Sequence, residues 1–249
     1  GAINYDYSGI APYNGGWYYV KDGKIDWSYT GLTTYYGTWY YVVGGYLDWN
    51  QTTLVLYNGI WYYVENGAIN WNSDTLVNYN GDWYYVKGGS LASNYTGLVY
   101  YGGCWYYVVN GYLDWNQTTL VEQWGTTFYI VNAGIAWDQT TLVYKDGEWY
   151  YVENGTVNWN SDTLVNFNGD WYYAKDGKYA DDYTGLVYYG GCWFYVVGGY
   201  LDWSQNTVTE YNGAKYYVEG GVLNWNYSGE FTQGDVKYQI SNGVVVDIL

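Results

Sequence analysis

The tetrapeptide Trp-Tyr-Tyr-Val, or a close variant of it, starts at Trp17, Trp39, Trp61, Trp83, Trp105, Trp149, Trp171 and Trp193, and this recurrence constrains the chain more than any other feature. Neighbouring starts are 22 residues apart, and the one gap of 44 is filled in phase by Thr127-Phe128-Tyr129-Ile130. Lys215-Tyr216-Tyr217-Val218 and Lys237-Tyr238 extend the count to eleven starts in one phase. A second Trp follows ten residues after the first, at Trp27, Trp49, Trp71, Trp115, Trp137, Trp159, Trp203 and Trp225. A short repeat of this kind cannot bury its apolar face alone, so the units must stack into a quasi-one-dimensional array.

Two glycine columns divide each unit. One runs from Gly15 to Gly213 and is often preceded by Asn, as in Asn58-Gly59 and Asn80-Gly81. The other runs from Gly23 to Gly243, and only Ala133 breaks it. Asn-Gly between Thr-Leu-Val-x-Tyr and x-Trp-Tyr-Tyr-Val is a strong hairpin signal, because both central residues of a tight hairpin turn need positive φ. The second glycine reverses the chain again into a short segment ending in Asp/Asn-Trp. Recurrent Gly and β-branched clusters disfavour helix throughout. The expected fold is an all-β solenoid of stacked 22-residue β-hairpin repeats. The apolar mass is carried by 40 Tyr and 17 Trp, so stacked aromatic rungs are expected to supply the core.

Residues 1–249 read as a single array of about eleven units, with 1–16 a partial first unit and 231–249 a degenerate C-terminal cap. Gly1-Ala2-Ile3-Asn4 matches Gly67-Ala68-Ile69-Asn70, which suggests a fragment of a longer protein. A second period lies over the first: residues 61–126 and 149–214 match at an offset of 88, four units, as a block duplication would produce. Cys104 and Cys192 are related by this offset and should not meet in a solenoid, where only neighbours touch. Two free thiols are expected, with an intermolecular disulfide as the alternative.

Charge excludes several functions. Eight Lys and no Arg face 24 acidic residues, a net charge of −16, which lacks the basic footprint a phosphate backbone requires; nucleic acid is excluded as a partner. There is no His to serve as a base or a metal ligand, no Asp-x-Asp-x-Asp-Gly calcium loop, and no apolar run of the ~20 residues needed for membrane insertion. Repeats present the same groups many times without an asymmetric catalytic constellation. Neither catalytic residues, a metal nor a cofactor is expected.

What remains is binding by repeated aromatic groups. Strand alternation puts the first Trp and second Tyr on one face and the first Tyr and Val on the other. One face builds the stack and the other leaves aromatics near solvent, suited to sugar faces or cationic head groups. The second-Trp column is the sharper candidate. It is flanked by Asp48, Asp114 and Asp202, or by Asn70 and Asn158, so that an aromatic platform lies beside hydrogen-bonding groups. The alternative is a Trp lid on each turn, with Asp or Asn serving the turn itself. Ser93 and Asp181 replace this Trp, so those units should lack a site or shape a different one.

The unit Tyr-Asn-Gly-x-Trp-Tyr-Tyr-Val-x-x-Gly, with Tyr-Thr-Gly-Leu at 29–32, 95–98 and 183–186, resembles bacterial cell-wall-binding repeats over essentially the whole chain. These include choline-binding repeats, glucan-binding repeats and the repetitive domains of large glucosylating toxins. The resemblance implies a β-solenoid on a secreted or cell-surface bacterial protein, with ligands held between consecutive hairpins. In choline-binding members, the first Trp of Trp-Tyr-Tyr joins a Trp from Thr-Gly-Trp and a Tyr in a cage. Trp39, Trp61, Trp83, Trp105, Trp149, Trp171 and Trp193 match the first position. The Thr-Gly-Trp position carries Leu instead, at Leu32, Leu54, Leu76, Leu98, Leu120, Leu142, Leu164 and Leu186.

The chain is therefore read as a non-catalytic module that attaches a bacterial surface protein to envelope polysaccharide or a related glycan. Trp39, Trp61, Trp105, Trp149 and Trp193 are candidate ligand residues together with the second-Trp column and its three Asp. An adhesin for a host protein, such as an immunoglobulin, or for a host glycan is the alternative, and a structural stalk the second alternative. The charge disfavours bare polyanions such as unsubstituted teichoic acid and leaves neutral glycans or cation-decorated polymers.

Overall fold

A computed structural model describes residues 4–249. Gly1-Ala2-Ile3, which carry most of the offset N-terminal match, lie outside the described residues. Among those described, every regular element is a β-strand. No helix is long and apolar enough to cross a membrane. The chain divides into two compact units, residues 1–118 with 130–135, and residues 119–129 with 136–249.

The repeat seen in the sequence is the repeat of the fold, an all-β solenoid of stacked hairpins. In the first unit, Thr53–Tyr57 and Ile60–Glu65 pair antiparallel around Asn58-Gly59, with Val55 opposite Tyr62 and Leu56 opposite Trp61. Asn58 (φ 49°) and Gly59 (φ 81°) are both left-handed, the turn whose twist matches the flanking strands. Asn66 (φ 51°) and Gly67 (φ 77°) make the second reversal, into the two-residue strand Ala68–Ile69.

That short strand joins one repeat to the one before it. Ile69 pairs with Val64 of its own hairpin, while Ala68 pairs with Tyr40 of the preceding one. Beside it, the Tyr41 N–H donates to the Gly67 carbonyl at 2.9 Å. The second unit repeats the scheme: Tyr150 pairs with Lys178, and the Tyr151 N–H donates to the Gly177 carbonyl at 2.8 Å. The two glycine columns thus have different reasons to exist. A Cβ on Gly59 would meet nothing within 4 Å, whereas one on Gly67 would come within 2.9 Å of the Asp48 carbonyl oxygen of the preceding repeat. Gly67 is needed for close approach as well as for φ.

The core differs from the aromatic one expected. Its fully buried column is aliphatic: Val42, Val64, Val86, Val108, Ile130, Val152, Ala174, Val196, Val218 and Ile240 are all 0% exposed. They pack with the Leu column, as in the cluster of Leu32, Val55, Val64 and Ile69 and in that of Leu186, Val218 and Leu223. The physical reason is the ~4.8 Å spacing of paired strands, which admits a compact branched side chain at the inward position of every rung. Burying each such Val contributes ~1.5–3 kcal/mol relative to exposure. Of the described aromatics, the buried ones are some of the second Tyr, Tyr63, Tyr85, Tyr151, Tyr173 and Tyr217, together with Phe128 in the degenerate repeat. The first Trp is mostly half-buried, and all eight second Trp are 44% to 62% exposed.

The C-terminal hairpin, Gly229–Gln233 with Val236–Ser241, is followed by a five-residue third strand, Val244–Ile248, where most repeats have two residues. A bulge at Gln239/Ile240 accommodates it. Cys104 and Cys192 are free and exposed.

Candidate functional site

Because the short third strand pairs backwards, it carries the second Trp over the preceding hairpin. Trp71 therefore shares a hollow with Trp39, 32 residues earlier, instead of with Trp61 of its own repeat. The remaining lining is Tyr57 and Tyr62 from the hairpin between them, with Leu32 and Ile69 buried at the floor. The hollow measures 80 Å³. Trp39 and Tyr57 meet with centroids 5.4 Å apart and planes inclined by 59°, and Trp71 stands edge-on to Tyr62 at 6.0 Å. No lining residue carries a charge, so attraction for a cation comes from the ring faces alone.

The same columns build the same hollow in the second unit. Leu186, Trp193, Tyr211, Tyr216, Leu223 and Trp225, each 154 residues further on, line a space of 110 Å³ together with Asn212. Trp193 and Tyr211 are 4.7 Å apart, and Tyr216 and Trp225 5.8 Å. Three further junctions carry the full set. Trp17 meets Tyr35 at 5.3 Å and Trp49 at 6.4 Å. Trp83 meets Tyr101 at 5.4 Å, with Trp115 against Tyr106 at 5.6 Å. Trp171 meets Tyr189 at 5.3 Å, with Trp203 against Phe194 at 5.9 Å.

Other junctions depart from the set, each in its own way. Trp61 keeps its partner Tyr79 at 5.4 Å, but Ser93 stands where the second Trp would be. Trp149 meets Phe167 at 5.2 Å, and with Asp181 at the Trp position it is Tyr179 that leans on Tyr172 at 5.4 Å. Tyr179 is held there by donating its hydroxyl proton to the Gly198 carbonyl at 2.7 Å. In the degenerate repeat, Thr127 replaces the first Trp and Lys145 replaces the Tyr, while Trp159 is retained against Tyr150 at 6.1 Å. The Lys145 ammonium donates to the Leu120 carbonyl at 2.7 Å. This junction holds a cation of its own.

The acidic neighbours of the second Trp are engaged in the turn. Asp48 Oδ1 accepts from the Asn50 backbone N–H at 2.9 Å and the Asn50 side-chain amide at 3.1 Å, and Asp114 does the same with Asn116 at 3.0 and 3.1 Å. Asp202 accepts from the Ser204 hydroxyl at 2.6 Å and from Gln205 at 2.7 Å. The Asn50 N–H above all holds the Asp48 carboxyl below its ordinary value, and the Ser204 hydroxyl does so for Asp202. Trp27 and Trp137 stand edge-on to Tyr18 and Phe128 at 5.7 and 5.9 Å, and Trp105 lies 5.2 Å from Tyr100. Sequence reasoning does not select the Tyr57 column, the Tyr62 column or Trp17, although all recur at 22 residues.

Nine segments, residues 6–26, 28–48, 50–70, 72–91, 94–114, 138–158, 160–178, 182–202 and 204–224, match the choline-binding repeat. The chain belongs to the choline-binding repeat family. Among solved structures it is similar to choline-binding protein F from Streptococcus pneumoniae, at 20% identity over 96% of this chain and 99% of that one (TM-score 0.35). CbpJ from Streptococcus pneumoniae TIGR4 is 18% identical over 96% of this chain and 94% of that one (TM-score 0.33). The choline-binding domain of Spr1274 from Streptococcus pneumoniae is 31% identical over 34% of this chain and 93% of that one (TM-score 0.22). No similar sequence was found among curated proteins. As a choline-binding repeat array, this chain has Leu32 and Leu186 at the Thr-Gly-Trp position, on the floor of each hollow, while Trp71 and Trp225 bring an indole from the next repeat.

Proposed function

We propose that the chain is a non-catalytic module that holds quaternary ammonium groups, choline in the first place, on a bacterial envelope polymer. It thereby attaches the secreted or surface protein of which it is part. One observation carries this reading: a small, uncharged, aromatic hollow built from the same six columns at Trp39 and again at Trp193. A compact methylated cation fits such a cage by cation–π attraction, and a carboxylate is not required. The net charge of −16 adds long-range attraction for a cation-decorated polymer. The repeated phase across residues 1–249 marks one functional array of about eleven repeats, with 231–249 as its cap, and many weak cages on one chain gain by avidity.

Choline titrated into the chain should quench and saturate tryptophan fluorescence, and the chain should sediment with choline-bearing cell walls until free choline releases it. Trp39→Ala and Trp193→Ala together should remove two equivalents of bound choline by calorimetry. Binding to walls that free choline does not reverse, or an unchanged stoichiometry in the double variant, would overturn the reading.

A further inference from the structure

In most repeats, the residue just before the first strand of the hairpin is tied to the following turn. The Thr30 hydroxyl accepts from the Gly44 N–H at 2.9 Å, Thr140 from Asn154 at 3.2 Å and Thr184 from Gly198 at 3.0 Å. In the repeat starting at Ser161 the acceptor has moved back by one residue, and Ser161 Oγ accepts from the Gly177 N–H at 2.9 Å. The next position, most often Thr, is thereby released from the turn. It is Asp162, and the strand Asp162–Phe167 begins one residue earlier to include it.

The released carboxylate faces a groove of 370 Å³, lined also by Tyr173, Lys175, Tyr183, Tyr188 and Trp193. Asp162 Oδ1 accepts from the Tyr173 hydroxyl at 2.9 Å. Burial, and then this carboxylate, push the Tyr173 pKa up, so the hydroxyl remains a donor. Tyr183 gives its proton to the Leu186 carbonyl at 2.9 Å and keeps its lone pairs free. Tyr188 is 55% exposed, with its ring 5.2 Å from Trp193. The block duplication preserves the device: Ser73 accepts from Gly89 at 2.9 Å, and Asp74 accepts from Tyr85 at 2.7 Å with Lys87 at 3.5 Å.

We propose that this groove is a saccharide subsite, which takes one hexopyranose ring on the exposed Tyr188 face with its hydroxyls bonded to Asp162 and Lys175. The groove is more than three times the volume of the Trp193 cage, 370 against 110 Å³. It places an acceptor and a donor of opposite charge together, which suits a polyol and not a lone cation. Trp193 and Tyr211 wall both spaces, so a polymer with its ammonium in the cage has its neighbouring sugar at the groove. This link to the cage rests on the envelope-polymer reading above.

The test is an NMR titration of the full chain with the methyl glycosides of glucose, galactose, N-acetylglucosamine and N-acetylgalactosamine, with choline titrated separately. At least one glycoside should give saturable shifts at the Trp193 indole N–H and at the backbone near Asp162. Asp162→Ala and Tyr188→Ala should each weaken it by about tenfold, the loss expected for one charge-assisted hydrogen bond or one stacking face. Tyr188 is exposed, so its variant keeps the fold if loss of the Tyr173 partner disturbs the other. Silence of all four glycosides at these residues, or equal affinity in wild type and Tyr188→Ala, would sink the subsite. Glycoside binding with a silent choline titration would instead overturn the cage reading and leave the groove standing.

Discussion

The junction at Trp39 and the junction at Lys145 use the same columns to opposite ends. In the first, Leu32, Trp39, Tyr57, Tyr62, Ile69 and Trp71 leave an uncharged hollow ringed by aromatic faces. In the second, 88 residues on, Leu120, Tyr150, Val157 and Trp159 occupy equivalent positions, but Thr127 and Lys145 replace the Trp–Tyr pair. Lys145 is anchored to the Leu120 carbonyl at 2.7 Å. Half of the aromatic lining is present there, and an ammonium takes the place of one aromatic wall. The second Trp is common to both junctions, and the Trp–Tyr pair is what distinguishes them.

The contrast is tested most severely by converting one junction into the other. Thr127→Trp with Lys145→Tyr restores the pair and removes the resident ammonium, while Trp159 already waits on the far side. Calorimetry should find one additional choline equivalent. An unchanged stoichiometry in a folded double variant would mean that the six columns are not sufficient, and the functional reading would lose its main support.

A pair of single variants comes next. Trp71→Ala opens one wall of the Trp39 cage and should cost roughly 1–2 kcal/mol of cation–π attraction, about five- to thirtyfold in Kd at that site. Trp159→Ala makes the same chemical change in the Lys145 junction and should leave choline binding untouched. Equal effects from the two would erase the distinction drawn between the junctions. Ser93→Trp, beside Trp61 and Tyr79, should act in the reverse sense and tighten a third site.

Much of this architecture is legible in the order of residues alone. The 22-residue phase places both turns and both Trp columns, because positive φ and hairpin twist leave glycine and Asn marks that side-chain chemistry does not blur. Three features are not legible there. The pairing of Trp39 with Trp71, not with Trp49, follows from Ala68 bonding back to Tyr40, and a linear period cannot say whether a short strand pairs forwards or backwards. The buried spine is hidden by the mass of Tyr and Trp, although one position in every repeat holds only Val, Ile or Ala. Size at the inward position, not total hydrophobic mass, decides what fills the stack. The role of Asp162 is invisible because it depends on a one-residue shift of a turn hydrogen bond from Thr to Ser161.

Lys145→Met separates the structural part of the contrast from the binding part. The variant loses a hydrogen bond from a charged donor and leaves the Leu120 carbonyl with only the longer bond from the Thr119 hydroxyl at 3.4 Å, at a cost of about 1 kcal/mol. Thermal unfolding should begin at a lower temperature, and no choline equivalent should be gained, since Thr127 still supplies no indole. A gain of binding here would show that the resident ammonium, and not the missing Trp, keeps that junction closed.

The smallest effect concerns what the two junctions share. Each is backed by a buried tyrosine at the same place in the following hairpin, Tyr63 in one and Tyr151 in the other. Burial first, and then the Glu65 and Glu153 carboxylates, raise both pKa values, that of Tyr151 from 10.0 to about 12. A raised folded-state pKa means that the folded chain holds its phenolic protons where the unfolded chain has released them. The contribution to stability is complete below pH 10.0 and is lost as pH rises through about 12. Thermal unfolding followed by circular dichroism should therefore shift to lower temperature across that interval, in both compact units. Tyr63→Phe and Tyr151→Phe together should reduce the dependence, because phenylalanine keeps the ring and removes the titrating proton. The reduction is by their share only, since other buried tyrosines such as Tyr85 and Tyr173 are raised as well. A slope unchanged by the two substitutions would assign the alkaline loss to the other tyrosines, Tyr85 and Tyr173 among them, and this shared support of the open and the filled junction would then be one of packing alone.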